Sequence, residues 1–233
     1  MTAADDLYTA APGGGAAAPG VLLLPAIAGV NEYIRRVAAR LSGQGYAVQA
    51  VDYHAEAGRP PDLSTPAAIL QAVASLSEAA VLEAAARALD GLRRRPGVDS
   101  GRIAVLGFCI GGTYAMLSGC TLDGVAAVVN YYGSVRNAPD GKGNGIAPLE
   151  RVAQLRAPLL SHYGTADRFV PAADVDALEH ALDAAGRVHE IFRYGGAPHA
   201  FDEDFRPAYR PVAAQEAWAR TLNFINWYTR NPK

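Results

Sequence analysis

Three residues, Cys109, Asp167 and His199, have the types and chain order needed to attack a carbonyl. A thiolate is the nucleophile. A histidine takes its proton and later hands it to a leaving group. A carboxylate holds the imidazole in the right tautomer and stabilises the imidazolium. Cys109 lies in Gly107-Phe108-Cys109-Ile110-Gly111-Gly112, between the apolar run Ile103 to Leu106 and a helix-like segment. Glycines two places either side of a nucleophile suit a sharp strand-to-helix turn, where bulkier side chains would strike the neighbouring strand and the start of the helix. Such a turn puts the thiol at a helix N-terminus, where backbone N–H groups and the dipole favour a thiolate. The competing readings are a buried cysteine before a glycine-rich turn, and a fragment of a nucleotide-binding loop. Gly-x-x-x-x-Gly-Lys-Ser/Thr is absent, and the stretch lacks Gly-x-Gly spacing.

Taken singly, Asp167 could cap the turn before a helix starting near Ala172, and His199 could be a surface histidine beside Pro198. Together, three separate strand ends carry the required types in the order nucleophile, acid, histidine. An oxyanion also needs two N–H donors. Ile110, just after the nucleophile, supplies one, and Ile27, in the turn after the Val21–Leu24 run, supplies the other. Of the remaining histidines, His162 sits inside a strand and reads as a packed core residue. His54 follows a strand end but precedes the nucleophile, out of order, and His180 and His189 read as surface positions. Cys120 reads as a small buried hydrophobe. Tyr53, Tyr132 and Phe201 flank strand ends and are candidate pocket walls, with ordinary aromatic packing the alternative for each. No His/Cys/Asp cluster has metal spacing, so no metal is expected.

The elements that position these residues alternate. Val21–Leu24 is an uninterrupted apolar strand, which belongs in a sheet covered on both faces. Asn31 to Gln44 reads as a helix capped by Asn31, with Ile34, Val37, Ala38 and Leu41 on one face. Strands follow at Tyr46–Val51, Ile103–Phe108, Val125–Tyr131, Ala157–Tyr163 and Val188–Tyr194. Helical patterns cover Ala67–Leu92 (one long helix or a broken one), Ala172–Ala185 and Gln215–Tyr228. Pro96 to Arg102 reads as a turn. Ser134 to Glu150, with Gly141, Gly143 and Gly145, is the candidate for a mobile loop over the site. The first 20 residues read as loosely structured, with a short strand around Leu7 to Thr9. Right-handed crossovers then give one doubly wound, mostly parallel sheet in a single α/β domain over residues 1–233, with no large cap domain. In such sheets the reactive edge lies at the strand C-termini, where Cys109, Asp167 and His199 all fall.

The net charge of −2, without basic runs or acidic tails, argues against nucleic acid or an anionic membrane surface as a partner. The triplet Arg93-Arg94-Arg95 reads as a solvated helix end. Cys109 and Cys120 would stand about 16 Å apart along a helix, too far for a disulfide. Two free thiols fit a reducing compartment. The N-terminus carries Asp5 and Asp6 rather than early Lys or Arg, so it does not read as a secretory signal, and a cytoplasmic location is expected.

The chain resembles the dienelactone hydrolases (carboxymethylenebutenolidases) of the α/β-hydrolase superfamily from about Val21 to Tyr228. The resemblance rests on Ile27-Ala28-Gly29-Val30-Asn31, Gly43-Gln44-Gly45-Tyr46-Ala47-Val48, Gly107 to Gly112, Tyr131-Tyr132-Gly133, Gly164-Thr165-Ala166-Asp167-Arg168-Phe169-Val170-Pro171 and His199-Ala200-Phe201. It implies a monomeric, cofactor-free hydrolase of enol-lactones and related esters. Its triad would be Cys109, His199 and Asp167, with Ile27 and Ile110 as oxyanion donors. Three departures bear on substrate. Family members acting on dienelactone place a glutamate where Ala26 stands. They carry an arginine after His-x-Phe, where this chain has Asp202-Glu203-Asp204. They also carry an arginine in the helix before the elbow strand, whereas no Lys or Arg occurs here between Arg59 and Arg87. The expectation is a thioester-forming hydrolase of neutral small esters or lactones. Its alternatives are a true dienelactone hydrolase using an anchor such as Arg206, and a non-catalytic binding protein that retains the triad. Without the glutamate, a standing thiolate–imidazolium pair must activate Cys109.

Overall fold

The computed structural model describes residues 8–9, 17–54, 60–136 and 147–231. Its strands are β1 (Tyr8–Thr9), β2 (Ala18–Leu24), β3 (Ala47–Ala50), β4 (Val98–Phe108), β5 (Val125–Tyr131), β6 (Leu159–Gly164) and β7 (His189–Tyr194). Its helices are α1 (Glu32–Gly43), α2 (Pro66–Ser75), α3 (Glu78–Arg93), α4 (Ile110–Thr121), α5 (Pro148–Arg151), α6 (Ala172–Ala184) and α7 (Pro211–Arg230). The strands form one sheet in the order β1-β3-β2-β4-β5-β6-β7. Among the described residues, only the β1–β3 pairing is antiparallel.

The continuous apolar runs occupy the middle of this sheet, as two-sided burial requires. One register row crosses it through Leu22, Val105, Val128 and Leu159, each at most 1% exposed. Neighbouring strand residues face opposite sides. On β5, the Tyr131 hydroxyl meets Thr221 of α7 at 2.8 Å, whereas Asn130 faces Gly112 of α4. One face is therefore covered by α7 and by α1, whose Arg40 lies 3.9 Å from the Trp218 ring. The other carries α3 and α4, which pack together.

Local chemistry explains the helix boundaries. The Asn31 side chain accepts a hydrogen bond from the Ile34 N–H at 3.0 Å and starts α1. The Ala67–Leu92 pattern is broken: Leu76 is extended and buried, and the Ser77 hydroxyl caps α3. The last helix begins at Pro211, four residues ahead of the expected Gln215, and two strands also start early. β2 begins at Ala18 and β4 at Val98, because these residues pair with each other ahead of the apolar runs. The Pro96–Arg102 segment is thus partly strand, held by main-chain pairing that side-chain pattern does not reveal. The expected loop over Ser134–Glu150 lies largely outside the described residues, and its end at Pro148–Glu150 is helical. Cys109 and Cys120 are unbridged, and Cys120 is a 4% exposed core residue. Among the described residues, no single helix is long and apolar enough to cross a membrane, and α2 and α3 together are bent by 70°.

Candidate active site

The turn between β4 and α4 is as tight as its glycines imply. A Cβ on Gly107 would stand 2.0 Å from the Gly111 carbonyl oxygen, and one on Gly111 would stand 2.1 Å from that of Leu24. Both obstacles are backbone, so neither can swing aside. Cys109 itself has φ of 54°, a left-handed value a non-glycine residue adopts at a cost. Its main chain is held by a 3.0 Å hydrogen bond from its N–H to the Tyr131 carbonyl and by one from Gly112 N–H at 2.8 Å. The thiol is consequently fixed at the first turn of α4, at the C-terminal edge of the sheet.

Asp167 leaves β6 and His199 follows β7. Asp167 Oδ2 lies 2.8 Å from His199 Nδ1. Its Oδ1 accepts the N–H groups of Phe169 at 2.7 Å and Val170 at 3.2 Å, so both oxygens are used. The carboxylate is fully buried, while His199 retains 18% of its side-chain surface. On its other side His199 is coupled electrostatically to Cys109. Burial alone would lower the basicity of His199. The facing Cys109 and Asp167 charges outweigh it and raise the imidazole to about 10. Ile27 and Ile110 flank the elbow, and neither N–H donates a hydrogen bond among the described residues. Cys109, Asp167, His199, Ile27 and Ile110 are thus gathered at one sheet edge.

The other candidates divide. The Tyr132 ring packs edge-on against the His199 ring, 4.8 Å between centroids, but the residue is fully buried and its hydroxyl donates to Asp202. Phe201 is fully buried among Tyr131, Tyr132 and Tyr194, and presents no surface to a ligand. Arg206 pairs with the buried Glu203 carboxylate. The Tyr53 hydroxyl is buried, has no hydrogen-bond partner among the described residues, and feels the charge of Cys109. His162 is a core residue between Tyr194 and Thr221 hydroxyls at 2.9 and 3.0 Å, and burial and Arg220 lower it to about 3. His180 is exposed and His189 half-buried.

Sequence reasoning passed over four contributors. Phe169, 64% exposed, sets its ring 5.0 Å from that of His199. Exposed Phe205 lies 6.1 Å from the Tyr33 ring. Asp202 accepts from both Tyr33 and Tyr132, and burial raises its carboxyl to about 6. His54 Nε2 meets the Ile27 carbonyl at 2.8 Å. The motif Asp167-Arg168-Phe169 was a usable signal for Phe169. Among the described residues, no group of three or more His, Cys, Asp or Glu is placed to hold a metal ion.

The family model of the dienelactone hydrolase family matches residues 6–229. The chain belongs to that family. The dienelactone hydrolase family comprises ester and lactone hydrolases. A Bradyrhizobium protein provisionally named 2-oxo-3-(5-oxofuran-2-ylidene)propanoate lactonase is 36% identical over 90% of this chain and 84% of its own. A Methylorubrum extorquens protein provisionally named carboxymethylenebutenolidase is 32% identical, over 95% and 76%. A crystal structure provisionally named dienelactone hydrolase, from Klebsiella pneumoniae, superposes with a TM-score of 0.85 at 29% identity, covering 93% of this chain and 90% of that one. The expected α/β-hydrolase fold is therefore present. Within the dienelactone hydrolase frame, Ala26 is partly buried beside the core, and the acidic stretch after His199 is engaged by Tyr33, Tyr132, Arg206 and Arg36.

Proposed function

We propose that the protein hydrolyses carboxylic esters and lactones through a thioester on Cys109. The thiolate adds to the substrate carbonyl, and the Ile27 and Ile110 N–H groups take the resulting oxyanion. Collapse breaks the acyl–oxygen bond as His199 protonates the departing alkoxide. Water then adds to the thioester with His199 as base, releasing the carboxylic acid and restoring Cys109. Asp167 keeps the proton on His199 Nδ1 and offsets the imidazolium charge. The observation that carries the reading is the 2.8 Å bond from buried Asp167 to His199, with His199 coupled electrostatically to Cys109 at the elbow. A thiolate–imidazolium pair between Cys109 and His199 would need no carboxylate at position 26. Acid-quenched turnover followed by mass spectrometry should find the acyl group on the Cys109 peptide. Turnover without any trapped acyl-enzyme on that peptide contradicts it.

The substrates proposed are neutral. Arg206 and Arg36 are committed to Glu203 and Asp204, so neither is free to clamp a carboxylate. Exposed Phe169, its ring 5.0 Å from that of His199, offers apolar surface at the site. Anionic lactones are the second reading. The Bradyrhizobium relative's name specifies a propanoate, and Arg168 is exposed beside Asp167 without an ion pair among the described residues. A kcat/KM for an anionic dienelactone well above that for neutral aryl esters would decide for this second reading. The unbridged thiols support a reducing compartment, such as the cytoplasm.

A further inference from the structure

The 2.8 Å bond to Asp167 holds His199 at Nδ1 alone. A ring held at one nitrogen can still tilt about that bond, so what packs against it decides where the other nitrogen points. Two rings do so. Phe169 is 64% exposed, with its centroid 5.0 Å from that of His199, and has room to yield. Tyr132 stands edge-on at 4.8 Å, is fully buried, and is backed by Phe201 at 5.6 Å. The main chain of Tyr132 is pinned. Its N–H donates to the His162 carbonyl at 2.8 Å, and the next N–H, that of Gly133, donates to Asn130 Oδ1 at 2.8 Å. It holds φ of 44°, which a non-glycine residue adopts at a cost. The far end of the ring is held as well, because the hydroxyl donates to Asp202 Oδ1, three residues beyond His199. The Glu203 N–H closes a turn on the Ala200 carbonyl at 3.1 Å, which sets Asp202 at a fixed reach from His199. Asp202 Oδ2 accepts from the hydroxyl of Tyr33 on α1, and that ring packs edge-on against Phe108, the residue before Cys109, at 5.7 Å.

We propose that Asp202 is a positioning residue for His199: its carboxylate ties the Tyr132 ring to Tyr33 and makes that ring a fixed wall that keeps the imidazole aimed at Cys109. This rests on the reading of His199 as the base of a Cys109 thioester mechanism. A ring held only through its main chain can rock, whereas one held at both ends cannot. Without the carboxylate the two hydroxyls also lose their acceptor in a setting with little water, a cost they escape only by finding another. The Tyr132 hydroxyl can do so only by moving its ring, and the imidazole then loses its wall. Asp202 touches no reacting atom in this scheme and acts only through Tyr132.

The test measures kcat and KM on a neutral aryl acetate for Asp202→Ala, Tyr132→Phe, the double variant and Asp202→Asn, with thermal unfolding of each to show that it is folded. Expected for Asp202→Ala and for Tyr132→Phe is a kcat lower by about 10–10²-fold, the scale of a displacement of about 1 Å, with KM within about twofold. The double variant should be no slower than the slower single one, because both changes cut the same tether. Asp202→Asn keeps an oxygen for the Tyr132 hydroxyl and an amide for the Tyr33 oxygen, so its kcat should stay within about threefold of wild type. Losses that multiply in the double variant overturn the proposal. So does full kcat in Tyr132→Phe or in Asp202→Ala, a rise in KM at unchanged kcat, or an Asp202→Asn as slow as Asp202→Ala. Should Asp202→Ala not fold, Tyr132→Phe, which removes a single oxygen, and Asp202→Asn decide by the same criteria. If Cys109→Ala keeps wild-type turnover, it is the thioester reading that fails, and the role of Asp202 falls with it. Turnover that needs Cys109 but ignores Tyr132→Phe overturns the role of Asp202 alone.

Discussion

Replacing Asp167 separates its two jobs. Oδ1 organises the loop through the Phe169 and Val170 N–H groups, and Oδ2 serves His199 at 2.8 Å. In Asp167→Asn the amide oxygen keeps the two loop donors, which leaves the NH2 group facing His199 Nδ1. That forces the imidazole proton onto the other nitrogen, the one that must receive the thiol proton. The lost bond to a charged group is worth about 1.5–3 kcal/mol, or about 10–10²-fold in rate. The wrong tautomer adds to this, so kcat should fall by about 10²–10⁴ in total. Stability should hold, because no loop N–H is orphaned. Asp167→Ala orphans both, at about 1–3 kcal/mol each. For a chain of this size that lowers Tm by roughly 5–20 °C. Steady-state kinetics on a neutral aryl ester and thermal unfolding of both variants read the two effects. A folded Asp167→Asn with kcat within threefold of wild type refutes the role given to Oδ2. Equal Tm values for the two variants refute the role given to Oδ1.

Further outcomes follow from the same geometry. Gly111→Ala sets a methyl about 2 Å from the Leu24 and Pro25 carbonyl oxygens, so it should abolish turnover and cost about 3 kcal/mol or more in urea unfolding. Tyr53→Phe removes a buried hydroxyl that has no partner among the described residues, so Tm should hold or rise; a clear fall in Tm would show that the hydroxyl is bonded after all. Asp202 has a folded value raised to about 6, so its ionisation opposes folding, and the stability it contributes at low pH is lost as pH rises from about 4 through 6. Between pH 4 and 7, Tm of Asp202→Asn should therefore fall less, or rise more, than that of wild type.

What could be read from the chain was local or ordered along it. Gly107 and Gly111 announce the elbow because the obstruction they avoid is a few residues away or on the adjacent strand. Asp167 and His199 were legible because strand ends in a parallel sheet share one edge, so order along the chain becomes proximity in space. His162 was legible as a core residue because an apolar strand surrounds it. The Tyr33–Asp202 and Tyr132–Asp202 bonds span 169 and 70 residues, and no spacing rule reaches that far. Phe201 misled because flanking a strand end does not fix which way a ring points, and this one packs among Tyr131, Tyr132 and Tyr194. His54 was set aside for its position in the chain, but a residue that braces a turn need not obey the order of a triad. Arg206 offered a cation without showing that Glu203 already holds it.

The most direct test is the hydrolysis rate of a small neutral aryl ester by wild type and Cys109→Ala side by side. The account predicts turnover by the wild type that Cys109→Ala loses almost entirely. Equal turnover by the two proteins would mean that another group is the nucleophile, and turnover by neither would point to a chain that binds without cleaving.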